Sequence, residues 1–253
     1  MQFNYIANAS VASASGRTLP VIDPSDGSTF DELQRSNAAD IDSAVLAARD
    51  CFESVWHKVN AAERGRLLTK LSNKIAEHVD ELALLEQRDC GKPVKQARAD
   101  ALALVRYFEF YAGACDKLHG ETLPYLDGYS VFTWREPHGV TGHIIPWNYP
   151  MQIFGRSVGG ALAAGNVCVV KPSEDACLSL IRVAQLAAEV GFPAGALNIV
   201  ALLIVPLVVQ FHGGKMATLP ADARAVVATV PGVTFHAGTA PPPGAPQAEL
   251  PAK

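Results

Sequence analysis

The sequence predicts an α/β protein in which an N-terminal helical segment precedes the first half of a doubly wound parallel sheet. Apolar residues recur at helical spacing between residues 40 and 114, and apolar strands alternate with helices after residue 138. The chain has 253 residues with a hydrophobic content of 49%, which is enough to form a sizeable core. Strands separated by single helices at this spacing pair in parallel through right-handed crossovers.

The first 36 residues combine alternating apolar positions with turn pairs such as Asp23–Pro24, which is typical of short strands and loops. From Asp40 the spacing becomes helical. Asn60 and Glu63 have the spacing of a capping box and predict the start of a second helix. A third helix is predicted to begin near Asp80 and to end at Gly91.

A fourth helix is predicted from about residue 94 to about residue 114, and the pattern then changes to strands. Residues 128–137 are interpreted as an exposed strand of a hairpin, and residues 139–145 as a buried strand. A helix over residues 150–164, a buried strand over residues 166–172, a helix capped by Ser173 and a short strand at residues 197–200 complete the pattern. This order predicts half of a Rossmann-like sheet.

Composition argues against several classes of partner and location. The net charge is −4 and no dense Lys/Arg cluster is present, so no nucleic-acid partner is expected. The five cysteines are irregularly spaced, which favours reduced thiols in a cytoplasmic protein. The N-terminus does not resemble a signal peptide, and the longest apolar run is interrupted by Pro206, so no membrane association is expected.

Two loops follow the two predicted buried strands, and ligands of parallel sheets bind beyond the carboxyl ends of strands. Residues 146–148 form the first loop, and Pro150 suits the first turn of the next helix. Asn148 is therefore either a helix cap or turn residue, or an amide donor that stabilises an oxyanion.

The second loop, residues 171–174, also has two interpretations. Lys171 and Glu174 form an exposed charge pair of little energetic value, or they hold the ribose hydroxyls of a dinucleotide. A carboxylate accepts a hydrogen bond from a 2′-hydroxyl and repels a 2′-phosphate, which favours NAD over NADP. The glycine-rich phosphate fingerprints GxGxxG and GxxxxGK[ST] do not occur.

Several stretches occur in the order of one known family, at residues 89–93, 106–124, 135–151, 159–174 and 191–200. The segment REPHGVTGHIIPWNYPM is the strongest of them. Over about residues 1–200 the chain resembles the N-terminal part of the NAD(P)-dependent aldehyde dehydrogenase superfamily. The resemblance implies a partial NAD-binding domain of the aldehyde dehydrogenase fold over residues 1–200. Residues 201–253 depart from the family pattern, and their composition predicts a divergent, irregular Ala/Pro/Gly-rich tail.

The resemblance implies specific roles for the two loops. In that family a cysteine thiolate attacks an aldehyde, and the asparagine that corresponds to Asn148 holds the resulting oxyanion. Hydride then passes to the nicotinamide, and a water activated by a glutamate releases the acid. The cofactor-binding residues implied here are Ile145, Pro146, Trp147, Lys171, Pro172, Ser173 and Glu174.

The chain also departs from the family pattern. Ser157 stands where some members carry a lysine, with Arg156 beside it, and neither is assigned a role. The Phe-Thr-Gly-Ser turn, the ELGGK glutamate and the GQxC nucleophile do not appear in the sequence. Cys177 is placed early in a helix, where the dipole would lower its pKa, but acidic neighbours oppose this effect. We therefore expect a truncated chain that is inactive alone.

These observations leave two functional expectations. The first is NAD-dependent oxidation of an aldehyde to a carboxylic acid, as the family implies. The alternative is a non-catalytic fragment that acts as a cofactor-binding or interaction module. Since the strand at residues 128–137 belongs to the family's oligomerisation region, a homo-oligomer or a pairing with a full-length homologue is expected.

Overall fold

The computed structural model describes residues 1–201, so the predicted tail lies outside the described residues except for Ala201. The helices are α1 Ala38–Ser54, α2 Ala61–Glu77, α3 Val79–Cys90, α4 Val94–Ala114, α5 Pro150–Ala163 and α6 Leu178–Glu189. The strands are β1 Asn4–Ile6, β2 Ala9–Val11, β3 Thr18–Ile22, β4 Thr29–Gln34, β5 Thr122–Leu123, β6 Val131–Phe132, β7 Val140–Ile145, β8 Val167–Pro172 and β9 Leu197–Ile199. The α/β class predicted from the sequence is confirmed.

The main sheet has five strands in the order β2–β1–β9–β8–β7. Strands β7, β8 and β9 run parallel, as the alternation of strands and helices predicted. The N-terminal hairpin adds two antiparallel strands, and Tyr5 lies opposite Ile199. The buried Asn198 side chain ties this hairpin to β9, because its Oδ1 accepts the N–H of Ala7 at 3.0 Å.

The helices surround this sheet in two groups. Helix α1 contacts β7, β8 and β9, while α5 packs on β7 and β8 and α6 packs on β9 and β1. Helices α2, α3 and α4 form an outer group on α5 and α6, and Phe108 of α4 lies 6.2 Å from Phe154 of α5 between ring centroids. In residues 1–201, every helix is too short or too polar to cross a membrane.

Capping groups explain where the first helices begin and end. The predicted capping box of Asn60 and Glu63 starts α2, and Asn37 forms a second box with Asp40 at the start of α1. Gly91 ends α3 with a φ of 69°, and a Cβ there would meet Pro24 Cγ at 2.7 Å. Only glycine combines the left-handed conformation with this close approach.

The strand predicted over residues 128–137 is much shorter than expected. Only Val131–Phe132 forms a strand, which pairs with Thr122–Leu123 in an isolated hairpin. The hairpin itself was predicted, but the longer strand is wrong. Since β5 and β6 pair only with each other in the described chain, few ladder bonds extend the strand.

Strand β7 differs from its predicted burial. Ile144 is 72% exposed, whereas Ile145 is 1% exposed. Side chains alternate between the two faces of a strand. His143 and Ile145 share the face toward α5, and the opposite face at Gly142 and Ile144 stays uncovered within residues 1–201. The strand is therefore only half-buried.

A candidate ligand crevice beyond strands β7 and β8

The two predicted loops leave the same edge of the sheet side by side. In the parallel register of β7 and β8, Ile145 lies opposite Pro172, the last residue of β8. The first loop therefore begins next to the second, at the carboxyl ends of neighbouring strands. Ligands of parallel sheets bind at this edge, so it is the candidate crevice.

The first loop presents exposed groups above a buried strand end. Pro146, Trp147 and Asn148 are exposed, with Trp147 at 59%. Ile145, the last residue of β7, is buried beneath this loop. Tyr149 is the N-cap of α5 and Pro150 its first residue, so the helix-cap interpretation of Asn148 is wrong. The Asn148 amide makes no hydrogen bond to any part of the described chain, which leaves it available to a ligand.

The second loop contains a partly buried ion pair. Lys171 Nζ lies 3.3 Å from Glu174 Oε2, and their side chains are 13% and 21% exposed. The interpretation as an exposed charge pair is therefore wrong. The predicted cap by Ser173 is also wrong, because α6 begins only at Leu178. Ser173 instead accepts the N–H of Asp175 at 3.4 Å in the turn that delays the helix.

A buried ionic network lies beneath the first loop. Lys92 Nζ donates to Glu86 Oε1 at 2.5 Å and to Asp100 Oδ2 at 2.7 Å, and both carboxylates are fully buried. Gln96 and Gln152 donate to the other oxygen of Asp100 at 2.8 and 2.6 Å. Gln152 lies in the first turn of α5, so the network connects α3 and α4 to the helix that follows Asn148.

The two carboxyl groups of this network titrate differently. Burial raises the pKa of Glu86 to about 7, although its contacts with Lys92 oppose the shift. Burial would also raise the pKa of Asp100, but hydrogen bonds from Lys92, Gln152 and Gln96 outweigh it and hold the pKa below its ordinary value. Asp100 is thus the carboxyl of the pair that more readily stays ionised as the counter-ion of Lys92, and Glu86 the one that more readily takes up a proton.

The start of α6 uses a carboxylate from α3. Asp89 Oδ2 accepts the N–H of Leu178 at 2.8 Å, and the N-cap residue Cys177 contributes no side-chain bond. Burial raises the pKa of Asp89 to about 7, against the lowering effect of its bonds to the Leu178 and Cys177 backbone. This distant cap explains why the helix begins without a local Ser, Thr or Asn cap.

A neutral histidine connects β7 to α5. The Ser157 hydroxyl lies 2.6 Å from His143 Nδ1, and His143 Nε2 lies 2.9 Å from Thr141 Oγ1. Thr141 donates its own hydrogen to the Val167 carbonyl, so it accepts from Nε2–H and Nδ1 accepts from Ser157. Burial lowers the pKa of His143, which keeps the ring neutral. Arg156 points away from this cluster, 5.7 Å from the Tyr107 ring centroid.

None of the five cysteines is an activated nucleophile. Burial raises the pKa of Cys51 to about 11 and that of Cys168 to about 12. Burial also raises the pKa of Cys90, Cys115 and Cys177. Burial and the nearby Asp89 raise the pKa of Cys177, the opposite of the lowering by a helix dipole considered from the sequence. All five thiols are free and remain protonated near neutral pH.

Sequence reasoning missed the residues that support the two loops, namely Glu86, Asp89, Lys92, Asp100 and Gln152. One signal could have identified Asp100, because it lies on the apolar stripe of α4 formed by Ala97, Ala101 and Leu104. A second signal is the three-residue spacing of Glu86 and Asp89, which places both on one face of α3. A carboxylate at a core position needs a buried partner.

Comparison with known proteins gives the same family along most of the chain. The sequence model of the Aldehyde dehydrogenase family matches residues 11–203. Hydroxyisobutyraldehyde dehydrogenase of Mycolicibacterium austroafricanum is 43% identical over 196 residues, which are 78% of this chain and 39% of that protein. Human retinal dehydrogenase 2 is 43% identical over 198 residues, covering 77% of this chain and 38% of its own.

Solved structures agree with the sequence relatives. A Burkholderia cenocepacia protein of aldehyde dehydrogenase type superposes with a TM-score of 0.78 at 66% identity, over 79% of this chain and 42% of that one. PnpE in complex with nicotinamide adenine dinucleotide superposes with a TM-score of 0.78 at 40% identity, over 80% of this chain and 42% of its own. The chain thus spans about two fifths of its relatives' length. This chain belongs to the aldehyde dehydrogenase family.

Proposed function

We propose that the chain forms the NAD-binding part of an aldehyde-oxidising dehydrogenase, with its ligand crevice beyond β7 and β8. The observation that supports this proposal is the register of β7 and β8, in which Ile145, just before the Asn148 loop, lies opposite Pro172, between Lys171 and Glu174 in the sequence. Membership of the aldehyde dehydrogenase family supports the reaction class, in which an aldehyde becomes a carboxylic acid. PnpE, a relative, has been solved with NAD bound.

The chemistry of the crevice residues fits a dinucleotide. Glu174 offers carboxylate oxygens and Lys171 offers ammonium donors to the ribose hydroxyls, together with the backbone of Pro172 and Ser173. Ile145, Pro146 and Trp147 line the neighbouring strand end. The Glu174 carboxylate favours NAD, because it would repel the 2′-phosphate of NADP. When bound, the nicotinamide would accept the two electrons that leave the aldehyde.

Asn148 is the proposed oxyanion donor. Its side chain is exposed at the strand end and has no partner among residues 1–201, so its amide N–H can reach a reacting carbonyl oxygen. Such a donor stabilises a negatively charged oxygen more than a neutral carbonyl oxygen. One oxyanion donor typically contributes about 3–4 kcal/mol of transition-state stabilisation.

The five thiols limit what the 253-residue chain does by itself. Aldehyde oxidation in this family needs a thiolate, and burial keeps each cysteine of the chain protonated. We therefore propose that this chain binds NAD without turning over aldehydes, as a cofactor-binding or interaction module. The free thiols are consistent with a reducing, cytoplasmic setting.

A second copy or a full-length homologue is the proposed partner. The hairpin of β5 and β6 exposes a group of large apolar side chains and pairs with no other strand of the described chain. Their exposures are 69% for Tyr125, 64% for Leu126, 68% for Tyr129, 66% for Phe132 and 77% for Trp134. An exposed apolar patch with an unpaired edge supports a protein–protein contact.

Titration with NAD, followed by the fluorescence of Trp147, tests the cofactor proposal. We expect a saturable change in the wild-type chain, and its loss in Trp147→Phe, because Trp147 stands at the proposed site. Glu174→Gln should weaken NAD binding about tenfold and reduce the preference for NAD over NADP, because a charged acceptor is lost. Glu53→Gln, at an exposed position on α1, is the matched control.

Three outcomes would each count against a part of the proposal. No response of the wild-type chain at millimolar NAD would contradict a cofactor site. An unchanged NAD/NADP preference in Glu174→Gln would contradict the ribose role of Glu174. Production of NADH from a short aldehyde would instead show that one of the five thiols is active, contrary to their burial.

A further inference from the structure

Both helices that follow the crevice loops begin without a side-chain cap of their own. The N-cap residues Tyr149 of α5 and Cys177 of α6 contribute no side-chain hydrogen bond. The first residues of α5 and α6 are buried, so water does not replace the missing acceptors. A helix start that is buried needs acceptors from elsewhere in the protein.

One face of α3 supplies an acceptor to each helix. Glu86 Oε2 accepts the N–H of Met151 in the first turn of α5 at 3.4 Å. Asp89 Oδ2 accepts the N–H of Leu178, the first residue of α6, at 2.8 Å. Because Glu86 and Asp89 are three residues apart, they lie on the same face of α3.

The residues after this face also contact the Asn148 loop itself. The Cys90 thiol donates to the Trp147 carbonyl at 3.4 Å, and Lys92 Nζ lies 4.6 Å from the Tyr149 ring centroid. Trp147 and Tyr149, the residues on both sides of Asn148, thus contact Cys90 at the end of α3 and Lys92 just after it. A single helix end connects the loop that carries Asn148 to the loop that carries Glu174.

We propose that Glu86 and Asp89 are positioning residues, here called the carboxylate clamp, which hold the two crevice loops at a fixed separation. The clamp acts through the starts of α5 and α6 and touches no ligand itself. Its consequence for cofactor binding rests on the proposed function, whereas its hold on the two helices does not.

The protonation of the clamp predicts how its hold depends on pH. Burial raises the pKa of both carboxyls to about 7. The groups that face Glu86 are Lys92, Asp100 and Cys90, and those that face Asp89 are Asp175, Cys177 and Cys90. Asp89 Oδ1 has no partner within the described residues, which agrees with its preference for a proton.

Proton linkage determines whether the closed helix starts become more or less stable as the pH rises. In an opened helix start the carboxyl is solvated and has its ordinary pKa near 4, so the closed form binds the proton more tightly. The closed form is therefore most stable at low pH and is lost progressively as the pH rises through about 7. For one such group, the population of the open form should rise about tenfold between about pH 6 and about pH 8.

Amide hydrogen exchange of Leu178 and Met151, corrected for intrinsic exchange, tests the clamp. We expect the opening of Leu178 in the wild-type chain to rise about tenfold between about pH 6 and about pH 8. Asp89→Asn keeps an acceptor without the titration and should remove this dependence, and Glu86→Gln should do the same at Met151. Asp80→Asn, on the same helix with an 80% exposed side chain, should behave like wild type.

Cofactor affinity provides the second measurement. Asp89→Ala removes the acceptor and should weaken NAD binding several-fold, while Asp89→Asn should restore it. If Asp89→Asn keeps the wild-type pH dependence of opening, or if Asp89→Ala changes neither exchange nor NAD affinity, the clamp is refuted. If the wild-type chain binds no NAD while exchange behaves as expected, the proposed function fails and the clamp stands.

Discussion

Replacement of Lys92 by methionine is expected to lower the free energy of unfolding by about 3–5 kcal/mol at neutral pH. Methionine keeps most of the apolar stem but removes the Lys92 ammonium, which within residues 1–201 is the cation bonded to both Glu86 and Asp100. Both carboxylates are fully buried, so an unpaired charge would remain in the interior. Urea unfolding of the two proteins measures the difference.

The pH dependence of the stability loss in Lys92→Met tests whether unpaired buried carboxylates cause it. Loss of Lys92 removes contacts that lower the pKa of Glu86 and Asp100, so both carboxyls should take up protons more readily and the destabilisation of Lys92→Met should shrink as the pH falls below neutrality. Lys95→Met replaces an exposed lysine on α4 and should change stability by less than about 0.5 kcal/mol. A loss at Lys92 that is no larger than that at Lys95 would show that the ion pairs contribute little.

Replacement of Gly195 by alanine is expected to destabilise the fold by about 2–5 kcal/mol. Gly195 precedes β9 with a φ of 94°, a conformation that L-residues rarely adopt. A Cβ there would lie 2.3 Å from the Ala47 carbonyl oxygen and 2.8 Å from Cys51 Cβ. Because the nearest atom is backbone, α1 or β9 must move.

Gly191→Ala separates the cost of backbone strain from the cost of the steric clash with α1. Gly191 has a similar φ of 99°, but a Cβ there would meet nothing within 4 Å. Its substitution should cost about 1–2 kcal/mol from backbone strain alone. Thermal unfolding of both variants gives the comparison, and equal losses at the two glycines would contradict the close packing of α1 on the β9 loop.

The parts of the fold that depend on local signals were predictable from the sequence. Asn60 with Glu63 marked the start of α2, Gly91 marked the end of α3, and the spacing of apolar segments predicted the parallel strands. These features depend on neighbouring residues, so a linear pattern contains them. The strand pairing of Tyr5 with Ile199 joins distant segments and left no local signal.

The candidate site, like the fold, was predictable from the sequence only where it depends on local signals. The loops with Asn148 and Glu174 follow strand ends and were identified from the sequence, although their roles remain proposals. Ser173 was assigned a capping role because it precedes an apolar run, but Asp89, far away in the chain, supplies that cap. Residues that act across the core, such as Glu86 and Asp100, could be found only from the three-dimensional arrangement.

The location of bound NAD tests the proposed crevice most directly. Hydrogen exchange of the wild-type chain with and without saturating NAD should show slower exchange in residues 145–152 and 171–178. Residues 52–57 and the cavity near Arg64, Trp134 and Asn166, at the amino ends of β7 and β8, should not change. Protection confined to that cavity, or unchanged exchange in both crevice segments despite bound NAD, would contradict the site beyond β7 and β8.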